Sequence, residues 1–204
     1  HENLVHYNWH WFWDFGNGEL GNNGIHMIDI CRWAMKKALP VAVSSTGGRF
    51  GYKDQAQTPN TQNVTWTFED GSMIVGQLRG LYTQEPMSWD FFGTKGHLAM
   101  KANGEFTIRL GRNKTNEPAV ESPANIDHFA NFSAAVRARD PKLLHAEIEE
   151  THLSTALCHL GNIAYRLNRN LKFDPRAVRF VNDSEADALL TRNYRAPYIV
   201  PEKV

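Results

Sequence analysis

Polar side chains recur at helical spacing along an apolar stretch near the start of the chain. Asn22, His26, Asp29 and Trp33 are separated by four, three and four residues, so an α-helix would align them in one stripe. The positions between them are apolar nearly all round, which is typical of a helix that is buried on most sides. The pattern predicts a helix over residues 19–37, ending before the next proline.

The segment before this helix is rich in aromatic residues. Tyrosine, tryptophan or phenylalanine occupies every second position from residue 7 to residue 15. This alternation fits either a short strand or an irregular segment that packs on the core. A glycine-rich run follows and indicates a turn around the start of the helix; its glycines are Gly16, Gly18, Gly21 and Gly24.

The middle of the chain alternates apolar and polar residues with the period of a β-strand. The strongest hairpin signal is Asp70-Gly71-Ser72, which joins two such segments. The first strand contains a glycine irregularity, and an exposed polar loop follows it. We predict five or six consecutive antiparallel strands in one meander-like sheet. The expected strands are 41–52, 63–69, 73–79, 88–92, 97–101 and 105–110.

Further helices are expected in the second half of the chain. An amphipathic helix over residues 125–139 precedes Pro141, and a longer helix is predicted at about residues 146–167. A short strand follows from Leu171, then a small helix at 183–190 and an extended tail that contains prolines.

These elements together predict one α+β domain over residues 1–204, with a largely antiparallel open sheet and helices packed on one face. The other sheet face then needs a cover. Apolar side chains are expected on both faces, from Val64, Trp66 and Phe68 on one strand and Ile74 and Leu78 on the next. An exposed apolar sheet face predicts a homodimer or homotetramer formed through it.

Charge and composition narrow the function classes. Lys plus Arg equals Asp plus Glu, 22 of each, so no basic field exists to hold a phosphate backbone and nucleic-acid binding is not expected. No run of about 18 apolar residues occurs, so no membrane span is expected. Cys31 and Cys158 lie in apolar helical contexts and predict free thiols. The expected location is cytoplasmic, or periplasmic if the parent protein carries an export signal.

Three histidines, His145, His152 and His159, recur every seven residues along the long second-half helix. Ligands of one metal ion on a helix normally lie three or four residues apart, whereas seven residues span roughly 10 Å. No metal site is therefore expected. A solvated or interface edge is the preferred interpretation of these histidines.

The stripe on the first helix is the strongest candidate for chemistry. A buried amide, imidazole and carboxylate cost free energy unless each has a partner, which could be protein or substrate. A histidine that titrates near neutral pH suits the removal of a proton from an alcohol. The alternative interpretation is a core histidine satisfied within the fold, preceded by a glycine turn that only starts the helix.

Three motifs in chain order carry a resemblance to a known family. They are Gly16-x-Gly18-x-x-x-Asn22-x-Gly24-x-His26-x-x-Asp29-x-x-x-Trp33, Phe92-Gly93-Thr94-Lys95-Gly96-His97 and Asp127-His128-Phe129-x-x-Phe132-x-x-Ala135-Val136. On these motifs the chain resembles the C-terminal domain of the Gfo/Idh/MocA family of nicotinamide-dependent sugar and inositol oxidoreductases. The resemblance implies an α+β fold like the C-terminal domain of glyceraldehyde-3-phosphate dehydrogenase, paired in the family with an N-terminal Rossmann domain.

The resemblance also implies roles for the stripe. The family histidine that matches His26 acts on the substrate hydroxyl, so His26 is the expected general acid/base. The family has an aspartate one turn earlier, whereas this chain has Asn22, whose amide cannot act as a base. Asn22 is expected to support the reaction through a hydrogen bond to the same hydroxyl or to a lysine of the absent domain. Asp29 is expected either to orient the imidazole or to make a helix–loop hydrogen bond.

His10, Trp11 and Asp14 are candidates for the wall of the substrate site because of their position in the resembled motif. Aromatic rings next to histidine and aspartate suit the C–H face of a sugar. Plain core packing is the alternative interpretation of this segment.

The cofactor is expected to be NAD or NADP, held mainly by a Rossmann domain outside this chain. The chain begins at His1 without a methionine, and no Gly-x-Gly-x-x-Gly fingerprint is recognised after a strand, so no cofactor-binding residue is assigned. The expected function is the substrate-binding and oligomerising half of a sugar or polyol dehydrogenase, inactive by itself. Two alternatives remain: a carbohydrate lyase, hydratase or glycosidase that oxidises only transiently, and a non-catalytic carbohydrate-binding or assembly module.

Overall fold

The structure, a computed structural model, describes residues 6–82, 87–111 and 127–201. The chain divides into two compact units, one formed by residues 1–81 and 152–204 and the other by residues 82–151. In chain order the main elements are α1 Ile25–Met35, β1 Ala42–Gly48, β2 Thr61–Thr67, β3 Met73–Arg79, β4 Ser88–Gly93, β5 Gly96–Lys101, β6 Phe106–Leu110, α2 His128–Ala138, α3 Ile148–Leu167, β7 Leu171–Asp174, β8 Arg179–Phe180 and α4 Ser184–Asp187.

The first unit is built on a five-stranded antiparallel sheet with the strand order β3-β2-β1-β7-β8. Val43, Trp66 and Ile74 lie side by side across its first three strands and therefore share one face. All three are buried, together with apolar residues of α1 and α3. The α+β class, the antiparallel open sheet and the helix-covered face are as predicted.

Trp66 lies at the centre of this core and has no exposed surface. Its indole N–H donates a 2.9 Å hydrogen bond to the carbonyl of Leu157 in α3. Gly161 permits this close approach, because a Cβ there would lie 3.0 Å from both Leu20 and Val64 and 3.3 Å from Trp66. The missing side chain lets α3 lie directly against the sheet.

The prediction of apolar side chains on both sheet faces is wrong. Antiparallel pairing puts directly opposed residues on the same face, and β2 pairs Trp66 with Ile74. All five apolar side chains of that prediction are buried. The opposite face of β1, β2 and β3 is mostly polar, with Met73 and Val75 exposed on it. A homodimer or homotetramer stays a prediction, but without this argument for it.

The expected single meander is also wrong. Strands β4, β5 and β6 form a separate three-stranded antiparallel sheet in the second unit, and no pairing joins β3 to β4 among the described residues. The first sheet continues instead from β1 to the distant β7. Strands in one sheet and strands in two sheets have the same period of two, so alternation in the sequence cannot distinguish them.

The predicted helices form, with different ends. Asp127 accepts a 3.0 Å hydrogen bond from the backbone N–H of Ala130 and so caps α2, which starts later than predicted. The large apolar side chains of α2 are exposed, namely Phe129, of which 87% is accessible, Phe132 and Val136. Ala135 is the buried residue of this helix. Residues 125–126 of the predicted helix lie outside the described residues. The long helix α3 matches its prediction closely.

The aromatic segment is irregular rather than a strand. Asn8–Trp11 forms a 3₁₀ helix, and turns follow it. His10 and Phe12 are each only 4% exposed, whereas 49% of Trp9 is accessible. His10 is the buried residue of the 3₁₀ helix, and Phe12 follows it in extended conformation.

Both cysteines are free thiols, as predicted, with Cys158 buried and Cys31 half-buried. Burial raises the pKa of the Cys31 thiol to about 11 and that of Cys158 to about 12. In the part of the chain that the structure describes, no helix combines the length and apolar character needed to cross a membrane.

Candidate functional site

The candidate site begins with an unusual helical turn. Leu20–Gly24 is π-helical and runs directly into α1. Single π-helical turns are rare and are frequent at functional sites. A Cβ at Gly24 would lie 2.9 Å from the side chain of Leu78, so the turn can pack on β3 only because this residue is small. The glycine-rich stretch is therefore part of the helix and allows its first turn to pack against β3.

The polar stripe of α1 faces outward. His26 and Asp29 are exposed, Asn22 is half-buried, and 75% of Trp33 is accessible. The prediction of a helix buried on most sides is wrong, because α1 packs on the core with only one face. The imidazole of His26 is exposed and makes no hydrogen bond to any residue that the structure describes.

Asp29 is tied to the long helix. The Ser154 hydroxyl donates to Asp29 Oδ1 at 2.5 Å, and Arg32 Nε donates to the Ser154 hydroxyl oxygen at 2.7 Å. Arg32 and Ser154 are buried, and a second Arg32 nitrogen donates to the carbonyl of Lys37 at 2.8 Å. The observed bond of Asp29 thus favours the structural role over orientation of His26, and its partner is a helix rather than a loop.

Ser154→Ala should lower the free energy of unfolding by about 1–3 kcal/mol, because it removes the buried hydroxyl that connects Arg32 to Asp29. Urea denaturation followed by circular dichroism measures the change. Ser184→Ala is the matched control, since Ser184 is exposed and Asp183 caps its helix. Equal stability of the two variants would contradict the structural role of Ser154.

Asn22 is paired with a residue that the sequence did not single out. Its Nδ2 donates to the hydroxyl oxygen of Tyr7 at 3.1 Å. The neighbouring Asn23 donates its side-chain amide to Glu19. Tyr7 lies fifteen residues before Asn22, so only the tertiary structure reveals this contact.

The three candidates for the substrate wall lie in different environments. His10 is buried; its Nδ1 donates to the carbonyl of Tyr7 at 2.6 Å, and its Nε2 has no hydrogen-bond partner among the residues that the structure describes. Trp11 is half-buried beneath the guanidinium of Arg49, 5.1 Å from the ring centroid. Asp14 is exposed, and its carbonyl accepts from Arg192 at 2.8 Å. Their role in binding substrate stays a prediction.

A shallow depression at the end of β1 was missed by sequence reasoning. Trp13, Tyr165, Arg166 and Asn168 line it, together with Gly47. The Arg166 guanidinium lies 5.3 Å from the Trp13 ring centroid. Nothing in the local sequence brings the two residues together, since they lie on separate elements.

The histidines of α3 do not gather ligands. No group of three or more His, Cys, Asp or Glu side chains is placed to hold a metal ion within residues 6–82, 87–111 and 127–201. Desolvation lowers the pKa of His159 below the ordinary histidine value, and the neighbouring His152 adds to the effect.

A comparison with family models decides the classification. A model described as "Oxidoreductase family, C-terminal alpha/beta domain", of the Gfo/Idh/MocA group, matches residues 1–200. The chain belongs to the Gfo/Idh/MocA oxidoreductase family. A search of curated proteins found no match. The family resemblance that the three sequence motifs carried is therefore confirmed.

Solved structures share the fold of this Gfo/Idh/MocA domain. An aldose-aldose oxidoreductase from Caulobacter crescentus, complexed with glycerol, has 16% identity and a TM-score of 0.61 over 81% of this chain and 50% of its own. An NAD-binding protein from Listeria innocua has 18% identity and a TM-score of 0.61, with 81% and 50% covered. A UDP-N-acetylglucosamine 3-dehydrogenase from Acidithiobacillus ferrooxidans has 17% identity and a TM-score of 0.57, with 70% and 46% covered. This chain spans about half the length of these relatives.

Residues 16–21 read Gly-Asn-Gly-Glu-Leu-Gly, which has the spacing of the dinucleotide fingerprint. The fingerprint functions between a strand and a helix of a βαβ unit. Here a 3₁₀ helix and turns precede it, and Gly18 adopts φ +63° beside Thr58. The run therefore lacks the structural context of a dinucleotide site.

Proposed function

We propose that this chain is the substrate-binding domain of an NAD(P)-dependent oxidoreductase that acts on a secondary alcohol of a sugar or polyol. The observation that supports this most is the His26 imidazole, which is exposed and without a hydrogen bond among the described residues. It occupies the position that acts on the substrate hydroxyl in the resembled family. An exposed base on the same helix as an exposed Trp33 fits a surface that a second domain and a substrate would cover.

Oxidation of the alcohol needs one group that accepts a hydride and another that accepts a proton. When bound, a nicotinamide supplies the acceptor for the hydride that leaves the carbinol carbon. His26 receives the hydroxyl proton, and the electron pair of the O–H bond forms the second bond of the carbonyl. Asn22 contributes hydrogen bonds only, since an amide neither ionises nor takes up a proton near neutral pH. We assign cofactor binding to a domain beyond these residues, because the glycine run described above lacks a βαβ context.

Asn22 favours a second candidate. Because this chain has an amide where the resembled family has an aspartate, the site carries one negative charge fewer. It also has one group fewer that can bind and release a proton. A lyase, hydratase or glycosidase that oxidises its substrate only transiently would return the hydride to the sugar and so re-oxidise its cofactor in every cycle. A non-catalytic carbohydrate-binding module would need neither the cofactor nor His26.

The test uses the full-length gene product that contains this chain. Absorbance at 340 nm is followed with NAD+ or NADP+ and a panel of aldoses, uronic acids and inositols. Accumulation of reduced cofactor with at least one polyol supports the dehydrogenase. Conversion of a sugar without net reduction supports the transient-oxidation enzyme. Binding without any conversion of sugar would reject both enzymes.

A further inference from the structure

Tyr7 is held in place by an internal anchor. The carbonyl of Tyr7 accepts a 2.6 Å hydrogen bond from Nδ1 of His10, and the two rings meet edge to face with centroids 4.6 Å apart. His10 is only 4% exposed, so the anchor belongs to the packed interior. The buried histidine therefore fixes the backbone from which the Tyr7 side chain extends.

The other end of Tyr7 meets the candidate site. Asn22 Nδ2 donates to the phenol oxygen at 3.1 Å, four residues before His26 in the chain. A phenol has one proton to donate as well as lone pairs that accept. Because the amide occupies an acceptor position, the Tyr7 proton remains available to an outside partner. Tyr7 is 65% exposed, so a ligand can reach it.

We propose that the Tyr7 hydroxyl is a substrate-contacting group of this site, donating its hydrogen bond to an oxygen of the sugar or polyol bound beside His26. This inference rests on the proposed function. Asn22 acts as the positioning residue: its amide orients the phenol so that the O–H faces away from the protein. The site thereby combines an imidazole that takes a proton with a neutral donor that holds a neighbouring oxygen.

Tyr7→Phe in the full-length gene product tests the contact, because it removes only the hydroxyl. We expect kcat/KM for the active polyol to fall about tenfold, the usual effect of losing one hydrogen bond to a bound ligand. The change should lie mainly in KM, and the pH dependence of kcat should keep its shape because His26 is untouched. Tyr198→Phe is the control, since Tyr198 is exposed in the C-terminal tail.

Asn22→Asp tests the direction of the hydrogen bond. An ionised carboxylate only accepts, so Tyr7 would have to turn its proton toward residue 22 and would lose it for the substrate. We expect Asn22→Asp to weaken substrate binding by a similar factor, and Tyr7→Phe to add little in that background. A gain of activity in Asn22→Asp, or independent multiplication of the two effects, would overturn the proposal.

The outcomes separate this inference from the function it rests on. If the wild-type protein acts on a polyol and Tyr7→Phe matches both it and Tyr198→Phe, only the role of Tyr7 is rejected. If the wild-type protein neither binds nor converts any sugar of the panel, the proposed function fails and the role of Tyr7 fails with it. Equal melting temperatures of Tyr7→Phe and wild type exclude a loss of folding as the cause of a kinetic change.

Discussion

His26→Ala should reduce kcat/KM for polyol-dependent cofactor reduction by about 10²–10⁴-fold in the full-length gene product, the range expected for removal of a general base. The substitution removes the group that takes the hydroxyl proton, and Asn22 cannot replace it because an amide does not ionise. The assay is absorbance at 340 nm with the polyol that the panel identifies. The loss should be larger in kcat than in KM, since proton transfer belongs to the transition state.

The fold should tolerate this substitution. His26 is exposed and has no hydrogen-bond partner among the described residues, so the melting temperature of His26→Ala should stay close to that of the wild type. His145→Ala is the matched control, because His145 is exposed and uses its backbone N–H, not its ring, to bind Asn131. Unchanged turnover in His26→Ala would remove His26 from the reaction.

Trp66→Ala should destabilise the chain by about 3–5 kcal/mol, which is the largest effect on stability that we expect. The indole is completely buried and donates to the carbonyl of Leu157. Its removal leaves a cavity between β2 and α3 and a buried carbonyl without its donor. Urea denaturation followed by circular dichroism measures the change, because this signal does not depend on the lost tryptophan.

Trp33→Ala provides the comparison for Trp66→Ala. Trp33 is 75% exposed on α1, so its loss should change the free energy of unfolding by less than about 0.5 kcal/mol. The two variants delete the same side chain from environments of opposite burial. Equal destabilisation by the two substitutions would contradict the role of Trp66 as the centre of the core.

The hairpin of β2 and β3 could be predicted from the sequence because its information is local. The strict alternation and the Asp70-Gly71-Ser72 turn all lie within residues 63–79. Strand β3 has the predicted bounds. The second neighbour of β1 in the sheet, strand β7, could not be predicted. The pairing of β1 with β7 joins residues more than a hundred positions apart, and no local pattern encodes that choice.

The candidate site shows the same division. His26 and Asn22 were found because their spacing belongs to one helix and one family motif. Tyr7 and Ser154 were missed because they are distant in sequence from the residues that they contact. Tyr7 lies fifteen residues before Asn22, and Ser154 lies 125 residues after Asp29. The exposure of the stripe was also missed, because an apolar composition does not reveal how much of a helix its neighbours cover.

For this protein the sequence by itself determined the family, the α+β class, the positions of most helices and strands, and the candidate histidine. Those properties depend on composition, on periods of two and 3.6 residues, and on short motifs, all of which are local. Only the tertiary structure decided which strands pair, which helix face meets solvent and which side chains touch Asn22 and Asp29. Strand pairing, helix exposure and these side-chain contacts depend on interactions between segments that are distant in sequence. Such interactions stabilise the protein only once the core around Trp66 has packed.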